Sequence, residues 1–533
     1  MRLICAEGCG YRSNMHNLYE EVETASPHRG PKAVAANIGI QIGLTHSMVS
    51  NTAFRNVLMA ANVPPPSARV MQQTANKVCD AITILNEDDM AKQREHLRDV
   101  NEGRGLPRDA PIRAEGDGRY NNPLRSGAGN TPFQPATQST YTIIENSTEK
   151  KKIISVQTAN KLCSKRKAYE TDHKTHGCKA TIAYDEIIGD EQRWAKEACS
   201  KMQTDAHGRS MRISHFTSDG DSKACKGIEE GQNDSSVILL RDTQHLSVSM
   251  HRAVCNAKFS SSMFPKSTAA KRERTQRELG HDLRRRVQGE FQAAFKKYDG
   301  NIDSLINHFS FCTDALIECY SGSCGLNCQK YSLLCNGKKR KWNHNAYLKF
   351  LDNAHSASLQ PNDSDRKLLR SIVGIRLSPR AVNLQRFNTN SQKSEAINRT
   401  YSRTNPKGVT FARNFAGRIH SAVHLRNQGI GLSTIQKCQS LSAPITKHSK
   451  VERALAAEQT AEQQRANYHK TLKAKASRSS ARLQKYKIYS AKKDRVTYQK
   501  NILDNLVSDH CYSTRQKVVT RVQFNEHSYS KKK

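Results

Sequence analysis

Between about residue 106 and residue 254, short runs rich in β-forming residues alternate with helical stretches. That order limits the fold more than any other feature of the chain. "IRAEGDGRYNN", "QSTYTIIE" and "KKKIISVQTANK" read as three successive strands, and "DEQRWAKEACSKM" as a helix. "RISHF" and "SSVILLRD" add two more strands around a helix-like turn. The expected unit is a mixed α/β core. The first strand is expected to end at Asp117. "RISHFTSDGDSK" sets Asp219 and Asp221 around a glycine just past another strand.

Helical texture flanks this core. Over residues 1–105, "PKAVAANIGIQIGL" opens with Pro31, which suits a first helical turn, and "NTAFRNVLMAANV" follows. In "PPPSARVMQQTANKVCDAITIL", Ser67 is placed to cap a helix with Val70, Met71, Val78 and Ile82 on its apolar side. These helices suit a small DNA-binding or oligomerisation bundle. Over residues 255–385, Leu279, Leu283, Val287, Phe291 and Phe295 recur every four residues and form one buried stripe. Arg284, Arg285 and Arg286 are expected away from most of it, either as a solvated face or against backbone phosphates. Residues 441–533 form a basic tail. Between Lys447 and Lys500 it holds 15 Lys and Arg against 4 Asp and Glu. With few apolar anchors, the tail is expected to stay mobile or to fold only on a partner.

A formal net charge of +36 over 533 residues attracts polyanions, nucleic acid foremost. No apolar run approaches the roughly 20 residues that span a bilayer, and "MRLICAEGCGYRS" lacks a signal-peptide core. A cytosolic or nuclear setting is expected, so the 15 cysteines read as thiols or zinc ligands rather than a disulfide framework. Cys319, Cys324, Cys328 and Cys335, spaced C-x4-C-x3-C-x6-C, can close a tetrahedral Zn²⁺ site; four buried thiols are the competing reading. Cys163, His173, His176 and Cys178 form a weaker zinc candidate, and Cys5 with Cys9 reads as two free thiols.

Metal-assisted phosphoryl chemistry needs carboxylates that converge from separate elements. Asp117 and Asp219 suit this if their strands are neighbours. Otherwise Asp219 or Asp221 caps the next helix. A third acid, Glu395, lies in the probable helix "NTNSQKSEAINRTYSRTNPK", with Asn398 one turn beyond it.

"EGDGRYNN", "SDGDSK" and "TNSQKSEAINR…NPK", in this order and with a long helical segment before the last, resemble the Mutator-like transposases. The resemblance runs from about residue 105 to about 435. It implies a ribonuclease H-like mixed sheet over residues 106–254, a large all-α insertion over 255–385, and final core helices over 386–440. It implies an Asp-Asp-Glu triad at Asp117, Asp219 and Glu395, with Asp221 a near alternative for the second position. Two Mg²⁺ or Mn²⁺ ions would be held there to cut and rejoin DNA. Terminal inverted repeats and target DNA, a homo-oligomer and a nuclear location follow as expectations. His245, Asn398 and Arg399 join the arginine run as candidate nucleic-acid contacts.

Two departures from the family pattern stand out. "RYNN" follows Asp117 where the family often has tryptophan, and in "RDTQHL" Asp242 stands where it commonly has cysteine. An inactive, transposase-derived DNA-binding or regulatory protein is therefore the competing reading. An RNA-binding scaffold would need only the basic segments.

Overall fold

In the computed structural model, the described residues are 20–22, 33–121, 136–164, 178–183, 185–203, 211–218, 222–264, 268–321, 324–335, 359–485 and 488–489. Pro31, Cys5, Cys9, His173, His176, Asp219 and Asp221 lie outside them.

Five strands form one mixed sheet: β1 (Ile112–Tyr120), β2 (Gln138–Glu145), β3 (Ile153–Asn160), β4 (Ile213–Ser218) and β5 (Ile238–Arg241). Their order across the sheet is β3-β2-β1-β4-β5. β1, β2 and β3 are joined antiparallel, and β4 and β5 run parallel to β1. Every residue of β2 is buried because both faces of this strand are covered. Helices α4 (Glu191–Ser200) and α5 (Ser222–Gln232) cover one face through a core of Trp194, Ala198, Phe216 and Ile228. The other face packs on the long helix α3 (Ala68–Gly103) and on two later helices, through Met90, Val156, Ile397, Tyr401 and Ile419.

Helix α3 is capped as expected, its Ser67 hydroxyl accepting from the Val70 amide at 3.2 Å. Met71, Val78 and Ile82 are buried, but Val70 lies at the open first turn and is exposed. Before it come α1 (Ala35–Thr45) and α2 (Asn51–Ala60). Helix α1 starts four residues later than a Pro31 start implies, because Ala33–Val34 pair as a short ladder with Glu21–Val22.

Between β5 and residue 385 the described elements are helices: α6 (Thr243–Asn256), one short 3-10 turn, α7 (Ala269–Lys297), α8 (Ile302–Tyr320), α9 (Leu326–Tyr331), α10 (Asp363–Leu377) and α11 (Pro379–Leu384). Leu279, Leu283, Val287 and Phe291 build their common core, with Phe295 packed at its border. Then come α12 (Gln392–Thr404), α13 (Phe415–Gln428) and α14 (Ile430–Ser440). A second compact unit spans Arg453–Lys533. The polar tail is helical over α15 (Lys450–Lys470), with no buried residue. Its helix-forming composition needs no apolar face to adopt this shape.

Close helix packing rests on small residues. A Cβ on Gly227 of α5 would lie 2.2 Å from the Gln192 carbonyl oxygen of α4, and one on Gly417 of α13 would lie 2.4 Å from the Cys79 Cβ of α3. Both neighbours belong to helix backbones or to their first side-chain atoms, so neither can yield without moving a helix. Gly227→Ala and Gly417→Ala should each destabilise the protein by about 1–3 kcal/mol. Urea unfolding of the two variants reads this, and Gly39→Ala, where the added Cβ meets open space, should not lose comparable stability.

Candidate active site

Alternation along β1 puts Glu115, Asp117 and Arg119 on one face of the sheet, and α12 lies across that face. Three contacts fix it. The Ser394 amide donates to Glu115 Oε1 at 2.9 Å, Asn398 Nδ2 donates to Asp117 Oδ2 at 2.7 Å, and the Arg119 guanidinium donates to the Asn405 carbonyl. Tyr401 and Thr142 share a hydroxyl hydrogen bond of 2.9 Å, and Thr142 pairs with Asp117 across β1 and β2. Asp117 is not the end of its strand, which continues through Tyr120 because β2 pairs with it up to Ser139.

The start of α12 is held by a second buried acid. Asp242 follows β5 and caps α6, accepting from the Gln244 amide and from the His245 amide at 3.1 Å. Its other oxygen accepts from the Ser391 amide at 2.6 Å and the Ser391 hydroxyl at 2.5 Å. The Asp242 amide donates to the Ser218 carbonyl at 3.1 Å, tying this corner to the end of β4. Ser218 is the last described residue before Asp219. The residue standing in place of a cysteine is thus a completely buried acceptor that joins β4, α6 and α12.

Glu395 precedes Asn398 by one turn, so the two share a flank of α12. Its carboxylate is about one-third exposed and lies 3.8 Å from His245 Nε2 and 3.4 Å from the Arg399 guanidinium. Asn398 thus meets Asp117 while Glu395, one turn before it, meets His245 and Arg399, so α12 links the two sets beside the carboxyl ends of parallel β1, β4 and β5. Ligands in open α/β sheets commonly bind at such an edge. Burial pushes the Glu115 carboxyl above its ordinary value, and Lys151 opposes that shift. Burial raises the Tyr120 phenol, reinforced by Glu191, Asp190 and Asp117. The oxygen donors suit a hard divalent cation. Asn398 Oδ1, buried and without a hydrogen-bond partner among the described residues, adds a neutral donor to Asp117 and Glu395.

The arginine run divides. Arg285 is exposed and Arg284 half-buried, but Arg286 is fully buried and faces inward. It pairs with Glu290 at 3.1 Å and donates to Ser332 Oγ at 2.7 Å. Its expected role at phosphates is corrected on that ground. Ser332 in turn accepts from the Cys335 amide at 2.9 Å, so Arg286 shapes the loop that carries a cysteine.

That loop closes the four-cysteine cluster. The sulfurs of Cys319, Cys324, Cys328 and Cys335 all lie within 4.8 Å of one another. Cys319 and Cys335 are 3.9 Å apart, and Cys324 and Cys335 are 3.4 Å apart. Zinc–sulfur bonds of about 2.3 Å give tetrahedral edges of about 3.8 Å, so the set can hold zinc. Hydrogen bonding to Cys328, then burial, pushes the Cys319 thiol up, and burial pushes Cys324 up to about 12. Binding a cation there would displace the protons of Cys319 and Cys324. Cys163 is buried and Cys178 half-buried; their two candidate histidine partners lie outside the described residues.

Comparison with known families gives one match: the model for the Mutator-like transposase matches residues 1–335. The chain belongs to the Mutator-like transposase family. No curated protein and no solved structure matches it. Transposases of this family act on DNA. The matched segment contains Asp117, Asp219, His245 and all four clustered cysteines, and Glu395 with Asn398 lies beyond it.

Sequence reasoning about this family member overlooked Glu115. The available signal was its place two residues before Asp117, on the same strand face. Asp242→Ala would orphan two α6 amides and the Ser391 amide and hydroxyl. It should cost at least about 2 kcal/mol in urea unfolding, with Asp242→Asn less damaging because it keeps one acceptor oxygen.

Proposed function

We propose that the protein is a Mutator-like DNA transposase that cleaves and joins phosphodiesters with two Mg²⁺ or Mn²⁺ ions held by Asp117, Asp219 and Glu395. The observation that carries this reading is the Asn398–Asp117 hydrogen bond. It seats the helix of Glu395 on the strand of Asp117, although the two acids are far apart along the chain. The strand order β3-β2-β1-β4-β5, with only the first three strands antiparallel, supports a ribonuclease H-like core. The helices over residues 255–385 then form an insertion ahead of the catalytic helix.

Bound there, divalent ions would lower the pKa of an attacking water or 3′-hydroxyl and stabilise the leaving oxygen. The protein's own groups do the positioning. Glu115 and Asp242 fix the first turn of α12, so the helix that carries Glu395 is seated on the sheet that carries Asp117. His245 and Arg399 flank Glu395 and offer N–H donors to a phosphate oxygen. Asn398 orients the Asp117 carboxylate through Nδ2.

The second reading is a DNA-binding protein derived from such an enzyme. Strand cleavage of terminal-inverted-repeat DNA with Mg²⁺ or Mn²⁺ separates the two. Asp117→Ala, Asp219→Ala and Glu395→Ala should each lower cleavage at least about 10²- to 10³-fold while DNA binding remains. Cleavage by the wild type that survives Glu395→Ala removes the assigned site, and tight binding with no cleavage by the wild type selects the second reading.

The four-cysteine cluster is proposed as a structural zinc site that staples α8 to the loop held by Arg286 and Glu290. One zinc per chain is expected by elemental analysis. Cys335→Ser should lose the metal and lower the melting temperature. Zinc-free protein that melts unchanged on adding Zn²⁺ contradicts the site.

A further inference from the structure

On the flank of α12 opposite Glu395, three segments bring five cations together. Lys150, Lys151 and Lys152 sit in the turn between β2 and β3. Lys393 is in the first turn of α12, and Arg426 in the last turn of α13. Three short approaches fix the convergence. Lys393 Nζ donates to the Lys150 carbonyl at 3.3 Å, Lys152 Nζ donates to the carbonyl of Asn427 beside Arg426, and Lys151 Nζ lies 3.9 Å from Glu115 Oε2. Lys150 and Arg426 are exposed, and Lys151, Lys152 and Lys393 are half-buried.

Acids nearby offset this group only in part, and most of them also serve other hydrogen bonds. Glu115 is fully buried and also accepts from the Ser394 amide. Glu145 accepts from the amides of Ser147, Thr148 and Lys152. Asp89 accepts from the Asn427 and Gln428 side-chain amides. Glu149 is exposed in the same turn. Five cations beside these four acids leave an excess of positive charge that attracts a polyanion.

We infer that Lys150, Lys151, Lys152, Lys393 and Arg426 form a DNA-backbone site, one helix diameter (about 10 Å) across α12 from the catalytic glutamate. The inference rests on the transposase reading and names where DNA flanking the reacting phosphate is gripped. Phosphate contacts position a duplex without reading its sequence, so the site holds any DNA that enters the sheet edge.

The test is binding of a duplex across a salt series in EDTA, where no cleavage occurs, so its failure is separate from failure of the catalytic assignment. Lys150→Glu with Arg426→Glu should weaken binding about tenfold and lower the log–log salt slope by about 2, near 0.9 for each phosphate that is no longer neutralised. Lys296→Glu with Lys367→Glu makes the same charge change at exposed residues outside the patch and should leave the slope within about 0.5 of wild type. Equal losses in both pairs, or loss of inorganic polyphosphate binding with DNA binding intact, overturn the inference. Wild-type protein gives a second readout: DNA should protect Lys151, Lys152 and Lys393 from acetic anhydride. Equal acetylation with and without DNA also overturns it.

Discussion

Two buried carboxylates at the start of one helix hold the rest of the site in place. A helix N-terminus leaves backbone N–H groups without internal partners. In α12 the usual local remedy is missing, since Ser391 makes no side-chain cap. Glu115 from β1 and Asp242 from the end of β5 supply the acceptors instead. Because both acids are anchored in the sheet, the rotation of α12 about its axis is set by the sheet and not by the loop before it. Glu395 and Asn398 inherit their direction from that choice.

Much of the fold was legible in local patterns. The strand and helix order around the core, the Ser67 cap, the four-residue apolar stripe of α7 and the cysteine spacing all reflect interactions within one element or one short loop. Other features depend on partners far along the chain. Arg286 stands three residues after the buried Leu283 and one turn before its partner Glu290, but the Ser332 loop that completes its enclosure lies 46 residues away. Asp242 reads in sequence as a replaced cysteine, because its partner Ser391 lies 149 residues away. Glu115 reads as one more acid on a strand until α12 is laid over it. Helix α15 shows the reverse case, since propensity alone accounts for a helix that buries nothing.

The net charge of the chain is not spread evenly over its surface. Arg286, Arg376 and Lys437 are fully buried and serve internal hydrogen bonds. The outer face of α12, by contrast, exposes Arg399 one turn beyond Glu395. Membership in the Mutator-like transposase family implies a DNA substrate, and on the proposed active-site assignment that polyanion approaches the sheet edge where the acids sit. Among the described residues no helix is long and apolar enough to cross a membrane.

The active-site assignment stands on Asp117 and Glu395 sharing a divalent cation. Mn²⁺ binding, followed by the loss of its free paramagnetic signal, measures this without reference to cleavage or to DNA. Asp117→Asn and Glu395→Gln are each expected to weaken Mn²⁺ at least about tenfold while the fold is retained, and the double variant to lose little more than either alone. Unchanged Mn²⁺ affinity in both folded single variants would contradict it.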